Sequence, residues 1–250
     1  MYYSPSPRLL SPGIQVHLLI SKTFQKIKDL GSLNVAIFNA SGGDRKYFRA
    51  PFLTVPPSVY EQFWQTSTKG GFIFAQAALP LLLSTAKQST KYPPTLLFTG
   101  ATASVKASIG FSAFASAKFA LRALSQSLAK EFGPQGVHVG HVVADGGFDT
   151  PARKSMQPDG DEETWMSTEG MADSYWGLHI QSKRAWSWEI DLRPYLVSPC
   201  INVFADGRKN GKHGTKLEDS FEDWVSLCWI ELGNVDGLRA GTDWIDRYRY

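Results

Sequence analysis

Apolar side chains at positions 16, 20, 24, 27 and 30 recur at the spacing of one helical face, and Gly31 supplies a residue suited to end that helix. The run Leu33–Phe38 (LNVAIF) is nearly continuous in apolar residues and predicts a strand buried on both faces, ending at the polar turn 39–43. A charged, aromatic loop follows. A helix is predicted over 58–83, with Ser58 and Glu61 spaced as a capping box behind Pro57, and with Pro80 bending its end. The alternation then repeats. Thr95–Thr99 (TLLFT) reads as a second buried strand, Ser112–Phe132 as a helix with Ala117, Ala120, Leu124 and Leu128 on one stripe, and 137–143 as a third strand.

Gly133 and Pro134 end the second of these long helices, and Asp145-Gly146-Gly147 forms a turn whose glycines permit positive φ or close backbone approach. Residues 151–169 read as a polar loop, 171–179 as a short helix and Glu189–Leu192 as a short strand. Helices alternating with buried strands predict an α/β fold with a doubly wound parallel sheet. Three regions are expected: a leader over 1–15, the α/β domain over 16–198, and an unrelated, loosely attached extension over 199–250, with the boundary near 198–201.

Composition narrows the function classes. With 26 basic and 23 acidic residues the net charge is +3, too small a field to draw in nucleic acid or an anionic membrane. The longest apolar stretch, 70–83, contains Gln76 and Pro80 and falls short of the roughly 20 residues that a membrane span needs. Two isolated cysteines, Cys200 and Cys228, supply neither a disulfide framework nor a zinc site, and no secretion signal is read at the start. A soluble protein in a reducing, cytoplasmic setting is expected. The five histidines lack metal-ligand spacing; His138 and His141 fall on opposite faces of one strand, so no metal site is expected. The sequon at Asn39-Ala40-Ser41 is read as accidental.

Four ordered motifs carry a family resemblance. The strand and turn 33–42, the strand end FTGATAS at 98–104, FASAK at 114–118 and VADGGFDTP at 143–151 together resemble the short-chain dehydrogenase/reductase family over about 16–196. The resemblance implies a Rossmann-like sheet and an NAD(P)-dependent oxidoreductase, with NAD or NADP as cofactor. It implies cofactor contacts from Asn39, Ala40, Gly42, Lys118, Gly146, Phe148 and Thr150, and a homodimer through helices 58–83 and 112–132.

The departures lie at the chemical positions. Phe114 stands where the family has its catalytic tyrosine, and the serine thirteen positions earlier, 114 − 13 = 101, is Ala101. The helix asparagine falls near Ser67, so Lys118 alone is kept of the four. Asp145 replaces the proline of the Pro-Gly turn, while Gly146 keeps its glycine. Only fifteen residues precede position 16, so the first βαβ nucleotide-binding unit with its Gly-rich turn is missing from the expected fold, and strand 33–38 becomes an exposed edge.

Phenylalanine transfers no proton and alanine donates no side-chain hydrogen bond. Thr102, Ser104 and Ser112 are the neighbouring hydroxyls that could replace the serine. For Lys118, ribose binding stands against a solvated helix lysine; for Asn39, a cofactor contact stands against a turn-forming role. Trp176, Trp186 and Trp188 are expected over the substrate side. Two readings follow: an oxidoreductase with impaired or no activity, and a noncatalytic pseudoenzyme acting through protein association.

Overall fold

The structure, a computed structural model, describes residues 12–196 and 229–232. Helix α1 spans Pro12–Leu30 and closes at Gly31, whose φ of 139° lies in the region that favours glycine. Strand β1 (Leu33–Phe38) follows, then α2 (Pro57–Phe63), a π-helical turn at Trp64–Lys69 and α3 (Gly70–Ala86). Strand β2 (Thr95–Thr99) leads to α4 (Ser112–Phe132) and β3 (His138–Ala144). The remaining described elements are β4 (Gly147–Phe148), α5 (Pro151–Met156), β5 (Trp165–Met166), α6 (Thr168–His179), β6 (Glu189–Leu192) and β7 (Trp229–Leu232).

The main sheet has the order β6-β3-β2-β1-β7. Its first four strands are parallel, as the helix–strand alternation requires. Because strand residues alternate between faces, Phe38, Leu96, Phe98 and Val139 meet Phe24, Phe74, Leu82 and Leu121 from α1, α3 and α4 on one side. Leu97 and Val142 meet Leu178 of α6 on the other. Among the described residues no helix is long and apolar enough to cross a membrane.

Several local expectations change. Strand β1 is not an exposed edge: β7, from the region expected to be loosely attached, pairs with it antiparallel, Ala36 opposite Ile230 and Ile37 opposite Trp229. A strand so continuous in apolar residues leaves a costly row of backbone groups if unpaired, and β7 covers them. The expected boundary near 198–201 lies outside the described residues.

No capping box forms at Ser58 and Glu61. Pro56 is the N-cap of α2 and makes no side-chain cap bond, while Pro57 takes the first helical position, where its fixed φ suits the helix. Pro80 stands inside α3, which runs on past the expected Leu83 to Ala86; the residue is on the exposed side, where water can satisfy the carbonyl it orphans. The stretch 151–169 is not all loop: Thr150 caps α5 by accepting the Arg153 N–H, with Pro151 at the first helical position.

Candidate active site

The candidate residues gather about the carboxyl ends of β1, β2 and β3, where parallel sheets of this kind hold ligands. After β1 the chain turns through residues 39–43 and forms a cavity of about 330 Å³ lined by Ser41, Gly42, Gly43, Arg45, Phe48 and Phe63. Gly43 has a φ of +157°, and a Cβ there would lie 2.5 Å from the Phe63 ring, so the turn needs glycine on both counts. Asn39 and Ala40 are half-buried at the strand end behind this turn.

Phe114 and Lys118 are four residues apart on α4 and share one face. The Phe114 ring is buried in an aromatic cluster, 4.4 Å from the Phe48 centroid and 5.9 Å from that of Phe63. Phe48 therefore packs against the ring that stands at the family's tyrosine position. Lys118 is not a solvated helix lysine: it is 2% exposed, donates to the Thr99 carbonyl at 3.1 Å and lies 5.9 Å from the Phe114 ring centroid. Burial lowers its pKa to about 8, because the charged form loses its hydration.

Ala101 begins a tight turn, its N–H donating to Ser104 Oγ at 3.1 Å. Of the three substitute hydroxyls, Ser104 is fully buried and accepts the Ala101 N–H, Thr102 donates to Asp145, and Ser112 is exposed at the start of α4. Asp145 is further held by Arg193, 3.3 Å away. Ser67 lies in the π-helical turn, fully buried and with its hydroxyl unpartnered; single π-turns of this sort often mark functional positions. Next to it, Thr68 ties the turn to α4 through the Ala117 carbonyl at 3.0 Å.

The residues assigned to a cofactor are only partly brought together. Gly42 lines the cavity, whereas Lys118 is turned inward and the Thr150 hydroxyl is engaged as a helix cap. Gly146 and Gly147 have no positive φ and instead allow close approach: a Cβ would lie 3.0 Å from Pro194 and 2.2 Å from Arg153, respectively. Phe148 is 39% exposed beside them. Among the described residues no group of three or more His, Cys, Asp or Glu could hold a metal ion.

The tryptophans are not on the substrate side. Trp186 stacks on His138 at 4.8 Å, and Trp176 meets Tyr92 and His179, all near the amino ends of β2 and β3. Strand β6 runs parallel to β3, so the chain that enters it must arrive at that opposite end. Trp188, exposed at the same end, lies under Lys130. Sequence reading also missed Arg122, Glu189 and His141, which form one ion-paired cluster behind Lys118. The available signal was the four-residue spacing from Lys118 to Arg122, which places both on one side of α4.

No match was found among curated proteins. Among solved structures, a short-chain dehydrogenase from Rhodopseudomonas palustris is 30% identical, with a TM-score of 0.56 over 72% of this chain and 70% of that one. A short chain dehydrogenase from Salmonella enterica is 20% identical, with a TM-score of 0.57 over 76% and 73%. An alcohol dehydrogenase from Thermococcus sibiricus, complexed with 5-hydroxy-NADP, is 18% identical, with a TM-score of 0.59 over 75% and 72%. The last two likenesses bear on the fold alone. The model of the short chain dehydrogenase family matches residues 15–161, and the chain belongs to that family.

Proposed function

We propose that this chain is a short-chain dehydrogenase relative, of the class that uses NAD or NADP, with impaired or no hydride-transfer activity. The observation that carries this is the buried Phe114 ring, covered by Phe48 at 4.4 Å, at the position where the family's proton donor would stand. Loss of a positioned acid costs about 10²–10⁴ in rate, and loss of an oxyanion-type donor, here at Ala101, about 10²–10³. The two need not multiply. Neither Thr102 nor Ser104 replaces the missing donor, since the first spends its proton on Asp145 and the second is enclosed.

The second reading is a noncatalytic protein that acts by association. It is favoured by Tyr60, Trp64, Phe72 and Phe119, large apolar side chains left exposed on the helices expected to pair two copies. A second copy of this chain, in a reducing cytoplasmic setting, is the partner proposed.

Titration calorimetry with NADPH and an oxidation screen against aldehydes and ketones test the first reading. Binding no tighter than millimolar and no NADPH oxidation are expected of the unaltered chain. Micromolar binding with turnover would overturn it. The Phe114→Tyr/Ala101→Ser variant is expected to remain inactive, because Lys118 stays turned toward the Thr99 carbonyl.

A further inference from the structure

Two loops beside the candidate site carry apolar and basic side chains that the fold leaves at the surface. After β1 the chain makes two short 3₁₀ turns, Arg45–Tyr47 and Phe52–Thr54. In the second, the Thr54 N–H and hydroxyl both donate back to the Pro51 carbonyl, at 2.9 and 2.8 Å. Phe52 and Leu53 are left at the tip, 73% and 94% exposed. Between β2 and α4 another turn closes where the Phe111 N–H donates to the Ser108 carbonyl at 3.1 Å, with Gly110 at a φ of 86° and Ile109, 93% exposed, at its tip. The two loops are fastened together. The Ala50 N–H donates to the Gly110 carbonyl at 2.9 Å, the Phe48 ring meets that of Phe111 edge-on at 5.5 Å, and Arg49 lies over the Phe111 ring.

These loops also hold the charge excess of the chain. Residues 39–56 and 100–111 contain four cations, Arg45, Lys46, Arg49 and Lys106, against one acid, Asp44; that net +3 equals the net charge of the whole protein, so the rest of the chain sums to zero. All four cations are exposed, and Asp44 accepts the Lys46 N–H. A net charge of +3 spread over the surface is too weak to steer a partner from afar, but contacts made within about 10 Å respond to the local excess.

We propose that this face docks on an anionic lipid surface, with Phe52, Leu53 and Ile109 entering the boundary between headgroups and acyl chains, and with Arg45, Lys46, Arg49 and Lys106 pairing with lipid phosphates and carboxylates. Exposed apolar tips beside clustered Lys and Arg are what an interfacial anchor requires, since burial of the tips and attraction to the headgroups act together. A second copy of this chain is the poorer occupant. Two copies that met through this face would set +3 against +3, and like charges brought together across an interface cost binding. Phe48 belongs to the joined loops and also lines the cavity after β1, so docking holds the candidate site at the lipid surface.

Flotation of the full chain with phosphatidylcholine vesicles, prepared with and without phosphatidylserine, tests this. Flotation with the phosphatidylserine vesicles alone, reversed by high salt, is expected. Lys46→Gln/Lys106→Gln should weaken partitioning by about thirtyfold, the loss of two cations near an anionic surface. Leu53→Ser/Ile109→Ser should weaken it by roughly tenfold or more. These two side chains have almost no packing to lose, so thermal unfolding should not change. The proposal is overturned by no flotation, by equal flotation on both vesicle types, or by flotation that ignores Leu53→Ser/Ile109→Ser. It is equally overturned if that substitution turns a dimer into a monomer in vesicle-free sedimentation, which would give the tips to a second copy. None of these readouts involves NADPH, so their outcome is independent of the oxidoreductase reading.

Discussion

Among the described residues three imidazoles are buried, and burial lowers the pKa of each, though each has its own partner. His138 has its Nε2 2.9 Å from the Ser187 carbonyl and stacks on Trp186. His179 has its Nδ1 2.9 Å from Thr95 Oγ1, and His141 faces Glu189. Burial brings both His141 and His179 to about 4, whereas the unfolded chain titrates them near 6.5. The folded-state pKa of each base is depressed, so the unfolded chain takes up protons first as the pH falls. Stability present above about 6.5 is therefore lost as the pH drops toward 4, by roughly 3 kcal/mol for each group. Urea midpoints measured between pH 7 and 4 should decline steadily through this window; a flat profile down to pH 4.5 would mean that the two rings are not buried neutral.

At the scale of elements, the decisive pairing is β1 with β7. The apolar run of β1 is covered on both faces by side-chain packing, and its outer edge by the backbone of a segment nearly 200 residues away in sequence, Ala36 facing Ile230. Proline cannot donate to a strand ladder, so Ile230→Pro is expected to uncover that edge. Association beyond that of the unaltered chain should follow, seen as light scattering that rises more steeply with concentration. Equal scattering from both proteins would show that β7 does not protect the edge. The π-helical turn is the other element-level feature: it carries Ser67 at the family's asparagine position while Thr68 fastens it to α4, so the two long helices are tied together beneath the site.

At the scale of the whole molecule, one sheet face is closed by α1, α3 and α4, and the other by α6. The outward side of the long helices keeps Trp64, Phe72 and Phe119 exposed, with Phe72 at 49%. On the association reading this is the face that pairs two copies. Phe72→Glu places a charge at that face without touching the core, and is expected to shift a dimer to a monomer by sedimentation or light scattering while thermal unfolding changes little. A monomer before the substitution would remove this face as the dimer contact.

Much of the architecture was legible in the sequence because it is set by local periodicity. The runs at Leu33–Phe38, Thr95–Thr99, Ser112–Phe132 and Glu189–Leu192 became elements with those bounds, since apolar runs and three-to-four-residue stripes have few alternative ways to bury themselves. Phe114 and Lys118 fall on the predicted helix Ser112–Phe132, as their four-residue spacing requires, and Ala101 falls in the turn after Thr95–Thr99. What the tertiary structure decided is where distant segments meet: that β7 closes the edge of β1, that Trp176 and Trp186 sit at the amino ends of the strands, that Lys118 turns inward to Thr99, and that Arg122, Glu189 and His141 become one ion-paired cluster. A side chain's burial and partners depend on what folds against it, and that is a property of the assembled sheet and not of the neighbouring residues in the chain.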